Sequence, residues 1–197
     1  MDRFQNTRQP DWDWWGKLWP TPGETLRQFG LSSGDSVVEI GSGNGYFALP
    51  AARIVAPGPV YAVDLDTSLL DELDHLADQQ RIDNVVPVHG DARSLTDTVA
   101  DPVDIGLMAN TFHGIEDPAA FVDEAVSALA ADGRFVVVNW QDRPRETTTV
   151  AGEPRGPPTA LRLSADESRE LIEEAADVTL TRQIELPPYH YALLFDR

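Results

Sequence analysis

The sequence predicts an α/β fold built on a doubly wound, mostly parallel sheet, and three observations carry that prediction. Short β-branched runs alternate with segments of helical period, the pattern of strands joined by crossover helices. The first run passes directly into a glycine-rich turn, "VVEIGSGNGYF", as a strand does where it meets a helix above a ligand. The last two runs are separated by Pro187 and Pro188 and read as an antiparallel hairpin closing the sheet.

Taken in order, the strands are expected at 36–40, 60–64, 85–88, 103–108 and 134–140, each rich in Val, Ile or Tyr. Helices are expected at 45–55, 67–81, 93–99 and 118–130, where apolar residues recur at three- and four-residue intervals. After Trp140, "QDRPRETTTVAGEPRGPP" is too polar for a core and reads as a long loop. Ser164 then opens a helix running to Ala176, with Glu167 in capping-box spacing. The closing strands fall at 178–186 and 189–195. Before the first strand, "DWDWWGKLWPTPG" concentrates four of the five tryptophans. Helical spacing places Trp12, Trp15 and Trp19 on one face and turns Trp14 away from it. This segment, within residues 1–30, is expected either to plug the open end of the sheet or to close over a ligand as a lid. The chain of 197 residues is expected to form a single domain.

Composition removes several chemistries. With no cysteine there are no disulfides, thiolate ligands or cysteine nucleophiles. The four histidines, at 75, 89, 113 and 190, show no metal-ligand spacing, so no metal is expected. The first ten residues lack an apolar signal core, and no run approaches the roughly 20 apolar residues of a membrane span. A soluble, cytoplasmic protein with no membrane partner is expected. The formal charge of -18 arises from 33 acidic against 15 basic residues, spread along the whole chain. Diffuse acidity of this kind suits a salt-rich cytoplasm, where ions screen self-repulsion. It also counts against nucleic acid as a partner, since no basic stripe exists to displace counterions.

The glycine turn narrows the ligand. The dinucleotide fingerprint needs G-x-G-x-x-G, but Tyr46 stands where its third glycine belongs, and no Lys follows to make a phosphate-binding P-loop. The spacing is E-x-G-x-G-x-G, from Glu39 through Gly41 and Gly43 to Gly45. Asp64 ends the second strand, where a carboxylate can accept both ribose hydroxyls of a nucleoside. Asp91, in "HGDA" after the third strand, can accept from an exocyclic adenine amine.

With these motifs the chain resembles the class I S-adenosylmethionine-dependent methyltransferases. "VVEIGSGNGYF" is similar to that family's first motif, "VYAVDLD" to its ribose-binding segment and "HGDA" to its adenine-contacting pair. "DIGLMANTFHGIEDP" and "LAADGRFVVVNW" match after the fourth strand and at the fifth. The resemblance implies a Rossmann-like, seven-stranded sheet in the order 3-2-1-4-5-7-6 with the last strand antiparallel. It implies S-adenosylmethionine as cofactor, held by Glu39, Gly41, Ser42, Gly43, Gly45, Asp64, Leu65, Asp91, Ala92 and Asn110. Within the family the chain is most similar to the small-molecule branch that includes ubiquinone and menaquinone biosynthesis enzymes, so a small-molecule acceptor is expected. The "LPPY" at 186–189 looks like an amino-methylating motif, but that motif belongs after the fourth strand, where Asn110-Thr111-Phe112-His113 stands instead.

Methyl transfer is an in-line displacement that requires alignment and, for a protonated nucleophile, a base. His113 is the candidate base, with packing beside the cofactor as its other reading. Trp140, Tyr189 and His190 lie at the same sheet edge and are candidate acceptor contacts, with Tyr191 facing the core. Two other functions stay open at this level: a cofactor-binding protein without turnover, and a protein or RNA methyltransferase, which would need a docking surface.

Overall fold

The computed structural model describes residues 12–197, with side chains from Trp14 onward. The expected position of the Trp12 side chain, and the cap segment before residue 12, lie outside the described residues. Seven strands form the central sheet: β1 (Val37–Ile40), β2 (Val60–Asp64), β3 (Val85–His89), β4 (Val103–Ala109), β5 (Leu129–Trp140), β6 (Thr179–Leu186) and β7 (His190–Asp196). Their order is 3-2-1-4-5-7-6, the strands from β1 to β5 pairing in parallel and β7 running antiparallel to both β5 and β6. The helices are α1 (Trp12–Leu18), α2 (Pro22–Gln28), α3 (Ala48–Val55), α4 (Thr67–Gln80), α5 (Leu95–Thr98), α6 (Pro118–Ser127) and α7 (Ala165–Ala175).

Alternating strand residues fill two cores, one on each face of the sheet. Val37, Val60, Ile105, Val136 and Leu194 pack with α1, α2, α3 and α4; Val38, Val63, Met108, Val137 and Phe195 pack with α5, α6 and α7. Because β1 is covered on both sides, all four of its residues are buried, Glu39 included. The short α2 is tied to the sheet at its C-terminal end, where Arg134 donates to the Phe29 carbonyl at 3.2 Å and Arg182 to that of Gln28 at 3.0 Å.

Several boundaries differ from expectation. The helix expected from residue 45 begins at Ala48, because Gly41, Gly43 and Gly45 all take positive φ and hold the chain in a turn until then. The helix expected to reach residue 130 stops at Ser127, and Leu129 pairs with Val103 instead, so β5 starts five residues early. The long loop after Trp140 contains a two-stranded ribbon, Thr149–Val150 against Glu153–Pro154, closed over Ala151 and Gly152, both with positive φ. Trp14 is buried, because that ribbon segment covers the second side of α1 and sets the Arg155 guanidinium 5.1 Å from the indole centre.

Among the described residues no helix is long and apolar enough to cross a membrane. Only four ion pairs are seen among the described residues of a chain with 33 acidic and 15 basic side chains, so repulsion between carboxylates outweighs pairing. The melting temperature is therefore expected to rise between about 0.1 M and 1 M salt, as the Debye length shrinks from about 10 to 3 Å. Scanning calorimetry along a salt series checks this, and a flat profile would contradict it.

Candidate active site

The carboxyl ends of β1 to β5 lie along one edge of the sheet, and the turn between β6 and β7 returns to the same edge, as the pairing of Trp140 with His190 shows. Every sequence-predicted site residue sits at or beside this edge.

At β1 the turn is shaped by close approach. A Cβ on Gly41 would come within 2.8 Å of the Thr111 methyl, and one on Gly45 within 2.9 Å of Leu73, so both positions need glycine for space as well as for φ. Asp64, ending β2, fastens this turn: its Oδ2 accepts from the Gly43 N–H at 2.8 Å and its Oδ1 from the Asp66 N–H at 2.9 Å. Each carboxylate oxygen has a further lone pair to offer. Glu39 is only 3% exposed, with Oε2 unpartnered. Burial, reinforced by the neighbouring Asp64 carboxylate, pushes Glu39 well above the usual carboxylate range, with a hydrogen bond from the Ala48 N–H opposing. Ser42 is buried, and its hydroxyl is likewise without a partner. Leu65, directly after Asp64, is 51% exposed, an apolar side chain left open beside the turn.

Asp91 caps the short turn after β3 and receives a fork from Arg93, with Nε at 3.0 and 2.9 Å from its two oxygens and Nη2 at 2.5 Å from Oδ2. The Arg93 side-chain hydrogen bond holds Asp91 below the ordinary carboxylate pKa. Ala92 follows it at the start of the turn. Asn110, just beyond β4, adopts φ +61, a conformation Asn tolerates better than most residues. Its backbone N–H donates to Val138, yet both atoms of its buried side-chain amide are unpartnered.

His113 is turned toward β5. Asn139 Oδ1 accepts the Trp140 backbone N–H at 3.1 Å and lies 3.3 Å from His113 Nδ1. The Trp140 N–H requires an acceptor at that amide position, which fixes the oxygen there. The oxygen in turn requires that Nδ1 carry the proton, leaving the Nε2 lone pair of His113 free. Burial lowers His113 to about 4; the Asn139 hydrogen bond opposes this and the Arg162 charge adds to it. The imidazole is neutral at neutral pH.

The expected acceptor contacts are packed together. Trp140 is buried, stacked on Tyr189 with ring centres 6.2 Å apart and 4.2 Å from His190. His190 is 1% exposed, lies 4.7 Å from Trp19, and keeps an unpartnered Nε2. Tyr189 donates to the Thr149 carbonyl at 3.0 Å, fastening the β6–β7 turn to the ribbon. Tyr191 faces the core, hydrogen bonded to Ser168 at 2.7 Å. The tryptophan segment spans both halves of the edge, with Trp15 5.9 Å from Tyr46 and Trp19 5.4 Å from Phe47 on one side and Trp19 against His190 on the other.

Sequence reasoning missed Arg162. It is buried beneath the loop after β5, with its guanidinium 5.2 Å from the Trp140 ring centre. The available signal was local: in this acidic chain, residues 143–162 carry Arg143, Arg145, Arg155 and Arg162.

Residues 31–177 match the family model described as "Methyltransferase domain". The chain belongs to that family, in its class I, S-adenosylmethionine-dependent form. Among solved structures it is similar to a SAM-dependent methyltransferase from Aquifex aeolicus, with 23% identity over 89% of each chain and a TM-score of 0.77. The CcbJ methyltransferase from Streptomyces caelestis shares 18% identity over 88% of each chain, with a TM-score of 0.69. Magnesium protoporphyrin IX methyltransferase from Synechocystis, solved with bound SAM, shares 14% identity over 100% of this chain and 94% of its own, with a TM-score of 0.69. No curated protein matches the chain in sequence.

Proposed function

We propose that the chain acts as one domain and transfers the methyl group of S-adenosylmethionine to a small-molecule acceptor, with His113 as the base. One observation carries the reading. Buried polar atoms without partners, Glu39 Oε2, Ser42 Oγ and both amide atoms of Asn110, lie along the strand ends beside a turn kept free of side chains by glycine. Orphaned buried groups cost about 1–3 kcal/mol each, and a polar ligand removes that cost. The donor and acceptor set fits the nucleoside and amino-acid parts of S-adenosylmethionine, which supplies an electrophilic methyl carbon on a sulfonium when bound.

On this reading Asp64 takes the ribose hydroxyls with its remaining lone pairs, and the open face of Leu65 receives the base, with Asp91 and Ala92 at its rim. Gly41, Gly43 and Gly45 admit the ligand to the backbone, and Asn110 bonds its polar end. His113 Nε2 takes the acceptor's proton as the nucleophile attacks, and the packed aromatic wall of Trp140, Tyr189 and His190 keeps water from the reacting centre. The resemblance to the quinone-biosynthesis branch supports a small acceptor. The charge of -18 weighs against nucleic acid.

Isothermal calorimetry in high salt is expected to show saturable binding of S-adenosylmethionine and of its demethylated product. Binding of a nicotinamide dinucleotide, with none of S-adenosylmethionine, would overturn the reading.

A further inference from the structure

Arg162 is 5% exposed in a protein with more than twice as many acidic as basic residues. Even so, no carboxylate among the described residues lies within 4.0 Å of it. Its hydrogen bonds go to neutral groups alone. Nε donates to the Pro157 carbonyl at 3.2 Å, and Nη2 donates to the Thr148 hydroxyl at 2.9 Å and to the Arg155 carbonyl at 3.0 Å. Nη1 is buried with no partner at all. A buried cation normally has a counter-charge, because its lost hydration is otherwise uncompensated. Nε and Nη2 thus hold the side chain in a fixed orientation, while Nη1 keeps its N–H groups for something the chain does not supply.

Its position identifies the missing partner. The guanidinium lies against Trp140, at the end of β5, and its charge is felt by both His113 and His190. That is the acceptor side of the proposed site, with His190 Nε2 a second buried group in want of a partner.

We propose that Arg162 anchors a carboxylate of the methyl acceptor, so that the substrate is a carboxylic acid; this rests on the small-molecule reading above. Carboxylate oxygens match guanidinium N–H geometry. Arg145, Glu146 and Asp142 act on this guanidinium only through space, with neither carboxylate at ion-pair distance, so it is left to balance one negative charge, which favours a carboxylate over the double charge of a phosphate monoester. Docked there, the anion also offsets the positive charge facing His113 and strengthens that imidazole as a base.

The test uses the full chain saturated with S-adenosylhomocysteine, whose binding is measured first. Benzoate, phenylacetate and indole-3-acetate are then titrated calorimetrically, each beside its neutral amide, with phenyl phosphate as a further arm. At least one carboxylate is expected to bind about tenfold or more tightly than its amide. Arg162→Gln should abolish that preference, and Arg162→Lys should restore part of it. The affinity for S-adenosylhomocysteine should stay unchanged in both variants.

Equal binding of every acid and amide overturns the proposal, as does a preference that survives Arg162→Gln, or phenyl phosphate binding above every carboxylate. A lowered melting temperature in Arg162→Gln, with the carboxylate preference intact, would reduce Arg162 to a staple for the loop. Failure of S-adenosylhomocysteine to bind the wild-type chain would instead overturn the methyl-transfer reading beneath it.

Discussion

Replacing His113 by Asn is expected to lower turnover about a hundredfold or more, while S-adenosylmethionine affinity stays nearly intact. The expectation follows from the Asn139 contact. That contact fixes the proton on Nδ1 and leaves Nε2 as the one atom of the ring able to take a proton. Asparagine fills much of the space but has no basic nitrogen. The pH dependence adds a second signature. With the imidazole held at about 4, the basic form is fully populated at neutral pH and is lost only as the pH falls toward that value. The rate of the wild-type enzyme should therefore be level through neutrality and decline on the acid side, and the variant should lack the His113 part of that decline. Release of S-adenosylhomocysteine, followed with any acceptor that turns over, measures the kinetic half; calorimetry measures the binding half. A clear loss of cofactor affinity in a folded variant would assign His113 to the pocket wall and leave alignment as the mechanism.

Asp64→Ala should cost about 2–4 kcal/mol of cofactor affinity, or roughly 30- to 1,000-fold, if both ribose bonds are charge-assisted. The structure adds a second route to the same loss. The carboxylate also receives the N–H groups of Gly43 and Asp66, so its removal loosens the turn that must cradle the ligand. The sheet should survive, since β2 stays paired on both sides by backbone bonds. Glu39 should respond as well: without the neighbouring negative charge its pKa falls back toward the ordinary range, which carboxyl NMR titration can follow. An unchanged affinity would mean that the ribose is held elsewhere.

The parts of the fold that were legible in the sequence are those that local chemistry decides. β-Branched runs gave the strands, E-x-G-x-G-x-G gave the turn, and Ser164 with Glu167 gave a capping box that forms as expected. What stayed hidden depends on partners distant in the chain. Trp14 is buried with Arg155, from the segment that carries the ribbon, set against it, and Leu129 leaves its helix because Val103 offers a strand to pair with. The acceptor side was hardest to read. Arg162 lies against Trp140 and its charge is felt by His113 and His190, each on another element, and its want of an ion-pair partner among the described residues shows only in three dimensions. His113 was visible as a candidate, but its protonated nitrogen was not, because Asn139 sets that through space.

The placement of the indoles has an optical consequence. Trp140 lies against Tyr189 and His190 at the carboxyl edge of the sheet, and Trp14, Trp15 and Trp19 form a chain of ring contacts that ends on His190. The other sheet faces and the α4 and α7 surfaces carry no tryptophan at all. Emission from Trp14, Trp15, Trp19 and Trp140 is therefore a local signal, coloured by one edge of the sheet. Ligand entry at the proposed acceptor side, beside Trp140, is expected to alter that light directly, which gives a stopped-flow readout without an added dye.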